Sequence, residues 1–337
     1  MSSTSLRLPA FRLVKEGRTL PPSSYTRTTR TGSQQASGVA DAAAIFREFD
    51  GGATIVLQGM HRYWQPVSAF CRQLEIALGH PIQANAYITP PGAQGFAVHQ
   101  DEHDVFVLQS HGNKRWRVYD RGEVPPTTPA VIDTNLDPGD SLYIPRSFPH
   151  AASTQRAASV HLTIGILSVT LLSALQELAK LAERDPAFAE PLPLGFAHHP
   201  EELREAVAGG LREIADWVAK NDPDEVSASL QRRFLTTRQP QLSGHLRRLL
   251  ELPALGDDSV VRRREGALCV LVPEGDELSV LLGDRELRMP GWLAPAMRDI
   301  AERDRLMVGE LAGLLDEAGR MVLVRRLIRE GLLEVAG

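Results

Sequence analysis

The chain has 337 residues, 43% of them hydrophobic and 23% charged, a composition that excludes a disordered or collagen-like polypeptide and leaves room for two or three domains. Its formal charge of -5 excludes a global attraction to nucleic acid or anionic lipid. No run of about 18 apolar residues and no basic-apolar leader is present, so no membrane association and a cytoplasmic location are expected. Cys71 and Cys269 are too few for a disulfide framework or a cysteine zinc site and are expected as buried thiols.

Residues 1–38 are rich in Ser, Thr and Arg, with Arg7, Arg12, Lys15, Arg18, Arg27 and Arg30 set against Glu16 through Arg30. They read as a basic polar segment, solvated or partly ordered. Residues 40–49 and 63–78 carry apolar residues at helical spacing, with a short strand at 54–57 between them. From 82 to 167 the period changes. Ile82, Ala84, Ala86 and Ile88 alternate with Asn85, Tyr87 and Thr89, and further β runs are expected at 104–109, 114–119, 141–144 and 159–166, separated by Gly/Pro turns. Many short strands of this kind predict a barrel or sandwich. Helical patterns follow at 171–183, 200–220, 223–235 and 241–250. Two β runs at 268–272 and 278–282 and helices at 293–301, 308–318 and 321–330 then suggest a small winged-helix-like domain. Its Arg320, Arg325, Arg326 and Arg329 are a modest cluster, and direct nucleic-acid binding is not expected.

The chemistry lies in Gly95-Phe-Ala-Val-His-Gln-Asp101. On a strand, His99 and Asp101 would project from one face. Leu142-Tyr-Ile-Pro-Arg-Ser-Phe-Pro-His150 supplies a second imidazole. Two His and one carboxylate make a facial triad that leaves three positions of an Fe(II) ion open, enough for a bidentate oxo-acid and then O2. Lys114 opens a later β run and could meet the distal carboxylate of such a co-substrate, with Arg117 and Arg146 as substitutes. Tyr87 and Asn85 could add a hydroxyl and an amide. His103 shares parity with His99 and reads as pocket wall or substitute ligand; His161 reads as a satisfied core histidine, and His111, His198 and His199 as exposed.

The stretch from Tyr87 to Asp101, together with Gly112-Asn-Lys-Arg-Trp-Arg-Val-Tyr119, Pro138 to His150 and Ser159-Val-His-Leu-Thr163, resembles the JmjC-type ribosomal oxygenases of the cupin superfamily. That resemblance implies an α+β chain: a JmjC/cupin double-stranded β-helix barrel, a helical dimerisation module and a C-terminal winged-helix-like domain. It implies Fe(II), 2-oxoglutarate and O2, with hydroxylation of Arg or His in a ribosomal protein. It makes His99, Asp101 and His150 the metal ligands and Lys114 the co-substrate anchor, helped by Tyr87, with Asn85 and Thr163 in the pocket. Gly165 stands where eukaryotic relatives carry a hydroxyl.

The expected boundaries are therefore 1–38, 39–167 for the catalytic domain, 168–256 for the helical module and 257–337 for the last domain. The expected partners are a protein or peptide substrate and a second copy of the chain, since apolar-striped helices with no site residues need a surface to bury. Two alternatives remain at this stage: an oxygenase acting on a peptide natural product, and a metal-binding cupin without catalysis.

Overall fold

The computed structural model describes residues 6–122 and 128–336. Pro125 to Thr127, part of a proline-rich stretch that ends at Pro129, lie outside the described residues. The chain divides into two compact units, Met1–Ser168 and Val169–Gly337.

The first unit begins with β1 (Phe11–Lys15), β2 (Arg18–Thr19), β3 (Thr26–Thr31) and β4 (Gln34–Ala40), followed by α1 (Ala42–Asp50), β5 (Thr54–Leu57), α2 (Gln65–Leu78) and β6 (Ile82–Thr89). It continues through β7 (Asp104–His111), β8 (Lys114–Val118), β9 (Ile132–Leu136), β10 (Ser141–Ile144), β11 (His150–Thr154) and β12 (Ser159–Ile166). A seven-stranded sheet in the order β10-β7-β12-β6-β5-β1-β2 and a three-stranded sheet β11-β8-β9 carry the unit. The alternation read at 82–89 places Ile82, Ala84 and Ala86 in a core with Val67, Cys71 and Ile164. Burial pushes the Cys71 thiol up to about 12, so it stays protonated.

The amino-terminal segment is not a tail. β1 pairs antiparallel with β5 through Phe11↔Leu57 and Leu13↔Ile55, and Phe11, Leu13, Tyr25, Ile45 and Ile55 form one apolar cluster. Its apolar residues are interrupted by arginines, which hid the strand from a composition reading. Phe11→Ala is expected to cost about 3–5 kcal/mol of stability, the usual cost of emptying a buried aromatic site; a chemical-denaturation midpoint indistinguishable from the parent would refute that placement.

The second unit holds α3 (Leu171–Ala182), α4 (Pro200–Lys220), α5 (Pro223–Thr236) and α6 (His245–Glu251), then β13 (Val260–Arg263), β14 (Val270–Glu274), β15 (Glu277–Leu281) and β16 (Glu286–Pro290). α7 (Ala294–Glu302), β17 (Arg305–Met307), α8 (Glu317–Arg329) and β18 (Leu333–Val335) complete it. Thr170 caps α3 in a reciprocal box with Ser173, and Asp222 caps α5 ahead of Pro223. Two three-stranded sheets, β14-β15-β16 and β17-β13-β18, share a core with α7 and α8 that includes Val261, Val280, Met297, Val324 and Leu327. The helix expected over 308–318 is instead a 3-10 turn at Val308–Gly313. The two glycines and the short apolar spacing there do not sustain an α-helix. Cys269 is only half-buried, and Arg320 of the basic cluster is held by Asp257, its Nε 2.7 Å from Oδ1. Among the described residues no helix is long and apolar enough to cross a membrane.

Candidate metal centre

His99 and Asp101 do not lie on a regular strand, as their spacing suggested. They sit on an irregular segment joined to the chain before β11. His99 N–H donates to the His150 carbonyl at 3.1 Å, His150 N–H returns the bond at 2.8 Å, and Ser147 N–H donates to the Asp101 carbonyl at 2.8 Å. Ser147 adopts φ +67, a left-handed turn unusual for a residue with a Cβ. That turn re-aims the chain so that His150 starts β11 facing the segment. The amino-terminal hairpin braces the other side: Gly17 N–H donates to the Gly95 carbonyl at 2.9 Å. A Cβ on Gly17 would lie 2.9 Å from that of Ala97, so only glycine permits the approach.

One ligand atom from each of His99, Asp101 and His150 falls within 4.8 Å of the others. His150 Nε2 is 3.7 Å from Asp101 Oδ2, and the two imidazoles are 4.4 Å apart at their centroids. Each ring has its Nδ1 beside a backbone carbonyl, His99 at 2.9 Å from Ala97 O and His150 at 3.0 Å from Phe148 O. Those bonds place the ring proton on Nδ1 and leave Nε2 with a free lone pair, the orientation of a ligating histidine. Burial holds His150 below the usual imidazole range, so it stays neutral and able to coordinate. The donor set, two neutral nitrogens and one carboxylate, suits a divalent transition metal with open positions, and Fe(II) among them.

The triad faces a cavity of about 600 Å³. Lys114, first residue of β8, is buried on its wall. Its Nζ donates to Thr89 Oγ1 at 3.1 Å, and Thr54 Oγ1 donates to the same hydroxyl. Burial lowers its pKa to about 7, with no carboxylate contributing. A buried ammonium facing a cavity without an acidic partner is an anion site in waiting. Arg117 and Arg146 are not among the residues lining the cavity.

The other expected pocket residues converge here. The Tyr87 hydroxyl is hydrogen-bonded to Thr163 and Asn85, neighbours in the β12–β6 register. Asn85 also has a backbone task, because its Oδ1 accepts the Gly59 N–H at 3.0 Å. His161 is buried as expected but not satisfied: its Nδ1 has no hydrogen-bond partner among the described residues, and its ring stacks on Tyr87 at 4.9 Å. Burial, reinforced by Lys114, drives it well below the usual range. Trp116 is a buried wall residue.

His103 is not part of the ligand cluster. The Gln83 amide donates to its Nε2 at 3.1 Å, and a Cβ on Gly165 would fall 2.5 Å from its ring. The His103 imidazole therefore occupies the space above the missing Gly165 side chain. Gly165→Ala should cost about 1–3 kcal/mol by forcing that ring aside, and His103→Ala in the same chain should restore most of it; additive losses in a double-mutant cycle would disprove the coupling.

Sequence reading did not single out Arg12, His61 or Gln83, all of which line the cavity. Arg12 gave a signal, a charged residue inside the apolar run Phe11-Arg-Leu-Val14. His61 accepts the Ala84 N–H on Nδ1 at 3.1 Å, and burial keeps it neutral. Its sequence neighbourhood offers no comparable mark.

Residues 57–173 match the JmjC domain family. The chain is 30% identical over 231 residues to a Branchiostoma floridae protein named bifunctional lysine-specific demethylase and histidyl-hydroxylase NO66, covering 68% of this chain and 34% of that one. It is 29% identical to ribosomal oxygenase 2 of Rattus norvegicus over 60% of this chain and 48% of that one. It is 35% identical to human ribosomal oxygenase 1 over 47% of this chain and 28% of that one. The chain thus spans between about a quarter and a half of the length of these relatives. Among solved structures, Escherichia coli YcfD, a ribosomal oxygenase in complex with cobalt and 2-oxoglutarate, shares the fold over 97% of this chain and 86% of that one, with a TM-score of 0.52 and 20% identity. A second YcfD structure, with cobalt and succinic acid, gives a TM-score of 0.54 at 20% identity, with the same coverage. The matched domain, the named relatives and the His-Asp-His cluster agree that the chain belongs to the JmjC-type ribosomal oxygenase family.

Proposed function

We propose that the chain is an Fe(II)- and 2-oxoglutarate-dependent oxygenase that hydroxylates a protein side chain, an arginine or histidine of a ribosomal protein. The observation that carries the reading is the conjunction of a two-histidine, one-carboxylate cluster with a buried lysine that has no acidic partner among the described residues. When bound, iron and 2-oxoglutarate supply the oxidation: the oxo-acid loses CO2 to become succinate while O2 gives one oxygen to it and one to a C–H bond of the target. His99, Asp101 and His150 hold the metal, and Lys114 holds the distal carboxylate through a charge-assisted hydrogen bond. Tyr87 assists, oriented by Asn85 and Thr163, while Trp116 and His161 keep water from that end of the cavity.

Succinate release from 2-oxoglutarate with iron separates this reading from a non-catalytic metal-binding cupin. Mass spectrometry of ribosomal proteins from cells with and without the enzyme tests the substrate class. A gain of one oxygen on a ribosomal side chain supports it; enzyme-dependent oxidation confined to a small peptide product would transfer the assignment to natural-product biosynthesis.

The helical part of the second unit is proposed to join two subunits, with the remainder of that unit a winged-helix-like module and the whole acting in the cytoplasm without direct nucleic-acid contact. Support comes from the apolar residues these helices leave in water, among them Leu171, Leu175, Leu211, Leu246 and Leu250, each at least 59% exposed. Light scattering should give a dimer at micromolar concentration. A monomer would refute the assignment, and a dimer that survives loss of 171–250 would move the interface.

A further inference from the structure

The two histidines of the candidate metal centre are not held alike. His150 is buried at the head of β11, whereas His99 is exposed on the irregular segment that precedes β7. The backbone of His99 is fixed by its paired bonds to His150, but its ring is oriented through the Ala97 carbonyl, and residues 97–100 are all exposed. A carbonyl on such a segment orients an imidazole only as well as the segment itself is held.

Phe96 is placed to supply that hold. Its ring lies 5.4 Å from the His99 ring, tilted by 41°, and meets Tyr87 edge-on at 5.9 Å. The Arg12 guanidinium stands over the same ring at 5.4 Å, within reach of a cation–π contact. Arg12 is anchored in turn by its place in the sheet, opposite Val56 in the β1–β5 register. On either side of Phe96 the chain is pinned by the turn after β1, through the Gly17 N–H bond to the Gly95 carbonyl and the close approach of Gly17 to Ala97. Yet Phe96 is only half-buried and belongs to none of the first unit's apolar clusters among the described residues. A ring outside every core cluster, in contact with a ligand, a pocket tyrosine and an arginine of a distant strand, serves orientation more than stability.

We propose that Phe96, steadied by Arg12, is a positioning residue for His99, and that strand β1 thereby sets the affinity of the metal site. The inference rests on the metal-centre reading and adds to it a part played by residues that ligate nothing. With the ring in place, His99 is ordered before metal arrives. Without it the 96–98 backbone is loosened, His99 must be ordered each time metal binds, and that ordering subtracts from affinity.

The test is calorimetric titration of Co(II) onto the full metal-free chain without co-substrate, alongside the unfolding midpoint of the same metal-free samples. Phe96→Ala should weaken Co(II) binding about tenfold or more, the usual effect of losing a group that orients a metal ligand, with the midpoint nearly unchanged. Phe96→Tyr keeps the ring and should bind within a fewfold of the parent. Arg12→Met should weaken binding severalfold, and adding it to Phe96→Ala should change little more, because both act through one ring. Phe11→Leu is the control: it lies on the same strand with its side chain in the apolar cluster, so the midpoint should drop while Co(II) affinity holds. Parent-like binding by Phe96→Ala, or a loss that Phe96→Tyr does not restore, overturns the inference. An equal loss of affinity in Phe11→Leu also overturns it, since the effect would then be a general loosening of the unit. Additive losses for Arg12→Met and Phe96→Ala overturn the part given to β1. A parent chain that binds no Co(II) brings down the metal-centre reading and the inference with it.

Discussion

His150→Ala is expected to bring metal binding and turnover to background while the chain remains folded. The imidazole is buried and fixed from both sides, by its own backbone bonds to His99 and by the contact of Nδ1 with Phe148 O, so its loss removes one of the three ligand atoms of the cluster. The barrel does not depend on the ring for its core: the buried cluster under β7, β8, β9 and β10 consists of Val105, Val107, Trp116, Val118, Leu136 and Ile144. Calorimetric titration with Co(II) or Fe(II) gives the readout. His103→Ala is the control, since His103 stands outside the cluster and its loss should leave metal affinity within a fewfold. Retained iron in His150→Ala, or lost iron in His103→Ala, would redraw the coordination sphere.

The second large effect belongs to Lys114. Lys114→Met should raise the 2-oxoglutarate requirement roughly a hundredfold, the equivalent of losing one charge-assisted hydrogen bond at about 1.4 kcal/mol per factor of ten, with metal affinity unaltered. The same residue sets a pH dependence. Burial lowers its pKa to about 7, so the ammonium is populated below that value and the neutral amine above it. A dianion binds the ammonium; above about pH 7 binding must therefore draw in a proton, and affinity should fall toward tenfold per pH unit. The fold responds in the opposite sense. Unfolded lysine holds its proton to about 10.5, so the unfolded chain binds more protons between the two values and stability rises with pH across that window. Calorimetry in buffers of different ionisation enthalpy counts the protons. Affinity that is flat from pH 7 to 9 would show that another group holds the carboxylate.

The sequence made the repeating parts of this protein legible and left the irregular ones obscure. β6, β10 and β12 carry strict alternation or apolar β-branched runs, and α4 opens with a proline at its first turn and shows a clear stripe, so their limits follow from local chemistry. β9, with four of five residues exposed, has no apolar face to announce it; pairing with β8 alone makes it a strand. β17 and β18, of three residues each, are too short to show a period. The triad was readable because ligand types and the turn before His150 are local features. Its geometry was not, since a His-x-Asp spacing suggests a strand where the chain is an irregular segment zipped to 147–150. Arg12 carried a local signal, yet its place at the cavity was not legible, because it depends on β1 crossing to β5 from more than 40 residues away.

That crossing has a consequence for how the sheet avoids other sheets. With β1 in place, the margin on this side of the sheet ends in β2, two residues long, and a margin so short gives an incoming strand almost nothing to pair with. Without the first 15 residues, β5 would become the outer strand, presenting Thr54, Ile55, Val56 and Leu57 and the unpaired amides and carbonyls of an apolar, β-branched segment. The basic amino-terminal segment is thereby also the guard that keeps one molecule's barrel from stacking onto the next.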